Sequence, residues 1–340
     1  MEGSCRQMTG LFSECSREIL NIIQERFPVC ERPYHSIAEM VGCGEEEVFR
    51  TISQLRKDGV IRRIGGVFVS ERLGYTSRLC CGILPPEELG GYEEYTAHIN
   101  SLTHNYVRSH RYNIWFTLIA ESPDAVADTL FDITENTALH SVHVLSALKK
   151  YKIRTYFPME SGARVFAAGK QRLCRRVNTL DFDTKRVIAT IQDDLPYSAE
   201  PFADWADFLG ISCGELISRV EEMRDNGVMR RFGAILRHQK AGFVENAMVV
   251  FAVPHETADQ AGEMLARFDE VSHCYEREPF SDFPYNLYAM VHARSAVKMS
   301  VSLEKLAQAA GTDKYIVLRS EKELKKTSMK YFPELAVCSL

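Results

Sequence analysis

Two strand-like segments carry the residue types best suited to chemistry. Leu102 to Arg108 reads LTHNYVR and Val271 to Arg277 reads VSHCYER, so His104, Tyr106 and Arg108, and again His273, Tyr275 and Arg277, stand at i, i+2 and i+4. Alternation along a strand puts such residues on one face. Histidine titrates near an unperturbed pKa of about 6.5 and can give or take a proton at working pH. Arginine clamps carboxylates through paired N–H donors, and tyrosine offers a hydrogen-bonding ring. One such strand alone reads as an ordinary solvated face. Its return in corresponding places favours an acid, an aromatic and an anion clamp presented together, although shared descent also preserves purely structural patterns.

The elements that must position these strands are themselves repeated. LRKDGVIRRIGGVF (55–68) answers to MRDNGVMRRFGAIL (223–236), and the halves end alike in KKYKIRTYFP (149–158) and LKKTSMKYFP (324–333). A repeat this long is a duplicated domain, since solenoid units run to roughly 20–50 residues. In each half, helical periodicity marks three short helices (16–26, 36–41 and 45–58; then 184–192, 199–209 and 213–226). A segment alternating like a hairpin arm follows (60–70 and 228–238). This is a winged helix-turn-helix. A strand, helix, strand, strand, helix, strand series follows, ferredoxin-like in order, with its last strands at 141–156 and 314–331. The expected fold is α+β: a tandem duplication of a winged helix-turn-helix plus a ferredoxin-like βαββαβ domain, arranged as an intramolecular pseudo-dimer. Boundaries fall at 14–70 and 76–158, a linker at 159–180, then 181–238 and 244–333.

Composition narrows the function classes. The 340 residues carry 41 basic and 46 acidic side chains, a formal net charge of -5, without the basic surplus usual in a nucleic-acid binder. No apolar run approaches the roughly 20 residues that span a bilayer. The N-terminus lacks an apolar core of signal-peptide length, so a cytoplasmic protein with no membrane partner is expected. Ten cysteines show no C-x-x-C spacing and read as buried small hydrophobes in a reducing compartment.

A winged helix followed by a ferredoxin-like domain resembles the leucine-responsive regulators (the AsnC-like fold family), which makes DNA binding the first functional reading. Electrostatics oppose it. The recognition helix of the first copy starts Gly44-Glu45-Glu46-Glu47, and that of the second starts Ser212-Cys213-Gly214-Glu215. These ends would meet a duplex bearing one negative charge per about 1.7 Å. The paired Arg-Arg wing, the His-x-Tyr-x-Arg strand, the Asn113-x-Trp115-Phe116 strand and the Tyr-Phe-Pro terminus resemble the siroheme decarboxylase family. That family is related in fold to these regulators and is commonly built from two homologous subunits. Residues 14 to 158 look like one subunit type and 181 to 333 like the other, fused in one chain.

The resemblance implies a carboxy-lyase that removes carbon dioxide from two acetate side chains of siroheme. The product would be 12,18-didecarboxysiroheme, in the alternative haem pathway. Siroheme and didecarboxysiroheme are the implied partners, and no cofactor is expected beyond the iron that the substrate carries. No nucleic-acid partner is expected, and further homo-oligomerisation is left open. Such chemistry needs a proton donor by the ring, cations for the carboxylates and an apolar slot. His104 and His273 are the donors by this reading, either of them alternatively an axial iron ligand, with Arg108 and Arg277 beside them. Lys150, Lys152, Arg154, Arg62, Arg63, Arg230, Arg231 and Arg111 are carboxylate candidates. Tyr106, Tyr112, Asn113, Trp115, Tyr275, Tyr285 and Asn286 are candidates for substrate contact. His292 ends a strand and reads as structural. The second copy's longer, acidic turn, EPFSDFPY (278–285), predicts that one half of the site is less cationic. A regulator sensing haem or an amino acid, and a catalytically silent haem-binding protein, are the competing readings.

Overall fold

The computed structural model describes residues 12–153, 159, 180–237, 240 and 245–335. Arg154, the first copy's Tyr-Phe-Pro and nearly all of the expected linker lie outside them. The chain forms two compact units. One gathers 1–73, 156–242 and 330–340, and the other 74–155 and 243–329. Winged helices thus pack with winged helices and ferredoxin-like halves with each other.

In the first unit, helices α1 (Glu14–Arg26), α2 (Pro33–Val41) and α3 (Glu45–Lys57) lead into strand β1 (Ile61–Phe68). The second copy repeats them as α6 (Phe182–Ile191), α7 (Pro201–Leu209), α8 (Cys213–Asp225) and β7 (Met229–Leu236). Ser13 and Asp181 cap α1 and α6 by accepting from Ser16 N and Thr184 N. The start of α3 is acidic, as expected, and Glu45 accepts from Arg32 at 2.5 Å.

The wings depart from expectation. β1 does not fold back as a hairpin arm but pairs antiparallel with β7 of the other copy. The repeated Gly explains how. A Cβ on Gly65 would stand 2.3 Å from Asp193 O, beyond the end of α6, and one on Gly233 would stand 2.6 Å from Ile23 O in α1. Only glycine lets each strand lie that close to the other copy's helix. Phe232 packs on Phe27 and Phe202 at ring distances of 5.9 and 5.3 Å, joining the two copies' cores. The C-terminal Tyr331 is tied to Gln192 by two bonds of 2.8 Å, and Met159 to Asn21 by bonds of 3.0 and 3.3 Å, so each copy's end returns to a first helix.

The second unit holds β2 (Thr76–Ile83), α4 (Leu89–Ala97), β3 (Leu102–Arg108), β4 (Ile114–Ala120), α5 (Pro123–Asn136), β5 (His140–Leu145) and β6 (Ala147–Ile153). The second copy supplies β8 (Glu245–Phe251), α9 (His255–Ala266), β9 (Val271–Arg277), β10 (Leu287–Ala293), α10 (Ala296–Ala310) and β11 (Tyr315–Lys326). One sheet runs β5-β2-β4-β3-β11-β8-β10-β9-β6. The last strand of each copy is shared. β11 pairs first with β8 and then with β3 of the other copy. Its counterpart, expected as one strand over 141–156, breaks at Ser146, so that β5 pairs with β2 and β6 with β9. The two edges of the sheet therefore meet at Ser146 and the sheet closes on itself.

Helix-facing residues form one core in each half. The inner face carries a third core drawn from both halves, including Cys81, Trp115, Leu145, Val250, Phe283, Tyr288 and Leu318. Cys80 and Cys81 point to opposite faces accordingly. No helix among the described residues is long and apolar enough to cross a membrane.

Candidate active site

Strand alternation and register put the two His-x-Tyr-x-Arg rows on the inner face. His104 pairs with Thr117 and Lys326, and Tyr106 with Trp115 and Glu323. In the other copy His273 pairs with Met290 and Ile153, and Tyr275 with Tyr288 and Lys150. β3 and β9 are separated by β11, β8 and β10 in one direction, and by β4, β2 and the β5–β6 strand in the other. They are equally far apart in strand order either way round, each presenting a half-buried imidazole and a half-buried phenol.

Each histidine follows a β-bulge. The register skips Thr103 in β3 and Ser272 in β9, leaving that residue unpaired; bulges re-aim side chains in this way beside functional sites. The Thr103 hydroxyl lies 3.1 Å from His104 Nδ1 and the Ser272 hydroxyl 2.9 Å from His273 Nδ1. Nε2 is then the nitrogen at the far side of each ring. The His273 ring lies nearly parallel to Tyr275, at 12° and 6.3 Å. These hydroxyls are the signal that sequence reasoning passed over: a Thr or Ser immediately precedes each histidine.

The arginines do something else. Arg108 is 5% exposed and donates to Leu318 O at 2.9 Å and to Ser320 Oγ at 3.1 Å. Arg277, 9% exposed, donates to Leu145 O. Both grip the shared strands near where these pass from one copy to the other, and their guanidiniums lie over Tyr106 and Tyr275 at 5.2 and 4.9 Å. Burial lowers the pKa of both, that of Arg108 to about 10. The expected carboxylate clamp is corrected: the positive charge is spent on backbone carbonyls.

Several other candidates prove structural. The Asn113 amide bonds Leu84 N and O at 2.9 and 2.8 Å, and Asn286 bonds Val253 N and O at 2.9 and 3.0 Å. Each clips a strand end in its own half. Trp115 is 1% exposed, with its indole N–H on Tyr112 O. Tyr112, 2% exposed, donates to Asp282 at 2.8 Å, and Arg111 pairs with the same carboxylate at 3.0 Å. Tyr285 packs on Phe283 within that core. Trp115 and Tyr112 are buried in the interior between the sheet's halves and are not presented for stacking, whereas Tyr285 is half-buried and the Arg111 side chain is exposed. On the ribbon of the other unit, Arg63 donates to Gly66 O and Arg231 to Ala234 O and Gln24 O. Burial pulls both down to about 10. Arg62 and Arg230 are half-buried on the same ribbon.

The charge asymmetry expected from the acidic turn lies elsewhere. Asp282 is answered by Arg111 and Tyr112, which hold its carboxyl below the usual range. The contrast sits in the strands flanking the histidines. In the first row Tyr106 donates to Glu323 at 3.3 Å, and Lys326 lies 3.9 Å from that carboxylate. In the second row the corresponding places are Lys150 and Ile153. Lys152 turns to the helix side and donates to Phe268 O at 2.6 Å. Two cavities, of about 920 Å³ beside Ala252, Lys314 and Tyr315 and of about 520 Å³ beside Leu84, Arg108 and His110, are lined by neither His104 nor His273.

Fold and site together define a duplicated winged-helix protein whose closed sheet presents one histidine and one tyrosine from each copy on its inner face. The AsnC-like ligand-binding domain family matches residues 72–152 and 240–325, and the siroheme decarboxylase NirDL-like HTH domain family matches 16–62 and 184–230. The siroheme decarboxylase of Hydrogenobacter thermophilus is 32% identical over 93% of this chain and 95% of its own length. A crystal structure of the siroheme decarboxylase NirDL superposes with a TM-score of 0.71 at 29% identity, covering 95% of this chain and 96% of that one. A second, of NirDL in complex with an iron-uroporphyrin III analogue, gives 0.69 at 29% identity, covering 94% and 95%. The chain belongs to the siroheme decarboxylase family, and it is an enzyme of the carboxy-lyase class.

Proposed function

We propose that this chain removes carbon dioxide from two acetate side chains of siroheme, giving 12,18-didecarboxysiroheme, with His104 and His273 as proton donors. The observation that supports this reading is the pair of bulge-set imidazoles, one from each copy, on the inner face of one sheet. The related structure solved with an iron-uroporphyrin III analogue supports a tetrapyrrole as the ligand.

The chemistry balances simply. A pyrrole acetate loses its carboxylate only if the C–C electron pair has somewhere to go, and protonation of the ring provides it. Loss of carbon dioxide leaves an exocyclic methylene. That carbon takes a proton to become methyl as the ring returns its own, so each acetate consumes one proton net. A group titrating near neutrality serves best, and imidazole is the side chain of that kind in each row. Lys150 and Lys326, flanking the two rows, are the cations we assign to substrate carboxylates, in place of Arg108 and Arg277. The iron of the substrate is the only metal required, and either imidazole reaching it axially would act as ligand in place of acid.

Anaerobic incubation of the protein with siroheme, followed by mass spectrometry, tests this. The expected product has lost two carbon dioxide units; an unchanged mass rejects the proposal. Replacing His104 or His273 by Ala is expected to lower kcat about 10²–10⁴-fold, the usual weight of a general acid. If both single variants turn over at the full rate, the acid assignment fails.

A further inference from the structure

The two rows share histidine, tyrosine and arginine, yet behind the histidines they differ. In the second copy the Ser272 hydroxyl sits 2.9 Å from His273 Nδ1 and also 2.9 Å from His292 Nε2. His292 is half-buried near the end of β10, two residues beyond Met290, the register partner of His273. Thr103 occupies the place of Ser272 in the first copy and approaches His104 Nδ1 at 3.1 Å and Thr117 O at 3.4 Å. The position matching His292 there is Ile119. A chain of hydrogen bonds that ends on a backbone carbonyl in one half therefore ends on a second imidazole in the other.

We infer that His292 is a positioning residue for His273, holding it through Ser272 and passing it a proton, so that the second copy alone has an internal proton supply. This rests on the functional reading above. The transfer balances. His292 as imidazolium gives its Nε2 proton to Ser272 Oγ, Ser272 gives its hydroxyl proton to His273 Nδ1, and His273 gives its Nε2 proton to the substrate. Both imidazoles finish neutral, His273 with its proton on Nδ1.

Other polar groups lie near His292. The backbone N–H of His292 donates to Glu270 O at 2.9 Å, while the Glu270 carboxylate accepts from Ser302 of α10 at 3.5 Å; the ring Nδ1 of His292 is buried and makes no hydrogen bond among the described residues. Across the strand pair stands Asn246 of β8, which accepts from Ser320; Arg294 follows two residues on. Ser272 Oγ also lies 3.3 Å from Met290 O. A hydroxyl donating there would accept from both imidazoles, making His292 a passive pin, and the test must separate the two cases.

Two substitutions do so. His292→Ile installs the first copy's residue, and His292→Gln keeps a hydrogen bond to Ser272 but cannot titrate. Both are expected to lower kcat about tenfold, the lesser effect typical of a group acting through another, with KM unchanged and the pH dependence of kcat displaced. In protein without substrate, the NMR titration midpoint of the His273 ring is expected to move in both variants. A Gln variant with the parent's kcat and pH profile overturns the relay, as does a His273 midpoint that neither substitution moves. If the parent protein itself releases no carbon dioxide from siroheme, the functional reading fails, and the NMR titration still decides the His–Ser–His coupling.

Discussion

The wing ribbon and the inner face of the closed sheet both carry residues repeated in the two copies, but for different reasons. In the ribbon, Gly65 and Gly233 recur because a Cβ would strike the other copy's helix backbone. Arg63 and Arg231 recur because each guanidinium bonds strand carbonyls. On the sheet, Arg108 and Arg277 and the amides of Asn113 and Asn286 recur for the same kind of reason. The histidines and tyrosines of β3 and β9 recur on a shared interior face, half-buried, with a hydroxyl behind each imidazole. Recurrence across a duplication thus marks whatever both copies need. Chemistry is separated from scaffolding only by what the side chain touches.

That division can be broken by measurement. The largest stability loss is expected at the ribbon. Gly65→Ala or Gly233→Ala drives a methyl into backbone oxygens that cannot swing aside and should cost about 3 kcal/mol, the upper end of ordinary overpacking, read as a fall in thermal midpoint. The histidine variants, on a half-buried face, should shift that midpoint far less while losing turnover. A histidine variant as unstable as the glycine variants would return the rows to scaffolding. Asn113→Ala and Asn286→Ala leave a backbone N–H and a carbonyl without their partner and should each cost about 1–3 kcal/mol, by denaturant titration, with KM preserved in whatever protein folds. An Asn variant that is fully stable but binds siroheme poorly would reinstate these residues as substrate contacts.

The smallest effect concerns a feature present in one copy only. Tyr112 and Arg111 hold the Asp282 carboxyl below its ordinary value of 3.8. The unfolded chain then takes up this proton at higher pH than the folded one. The resulting stabilisation is complete above that ordinary value and disappears as pH falls through the depressed one. Tyr112→Phe should weaken this dependence below pH about 4 in acid unfolding curves. An identical acid limb in parent and variant would mean that the hydrogen bond contributes nothing to holding the loop.

Much of the fold was legible because it rests on local periodicity. All six helices of the two winged helices appear where apolar spacing and caps put them, within a few residues. The βαββαβ order is likewise present in each half. What escaped were the pairings. The hairpin arm over 60–70 alternates correctly but finds its partner in the other copy, Gly65 meeting Gly233 of β7, because strand alternation says which face is buried and never which edge is met. The break at Ser146 escaped for the same reason: its cause is the second copy's β9, waiting for β6. Of the site, the His-x-Tyr-x-Arg rows and their shared face were readable from spacing. The roles of Arg108, Arg277, Trp115 and Tyr112 were not, since a cation bound to a carbonyl and one offered to a ligand look alike in sequence.

Sequence alone determined the duplication, the order of elements in each copy, and the placing of histidine, tyrosine and arginine on one strand face, all consequences of repeat length and a side-chain period of two. Tertiary structure decided that strands cross between copies, so that β3 and β9 belong to one sheet. It decided that Glu323 flanks one tyrosine and Lys150 the other. It also placed His292 behind only one of the two histidines. Such contacts join residues far apart in the chain, fixed by backbone hydrogen bonding between strands whose edges carry no address in their own side chains.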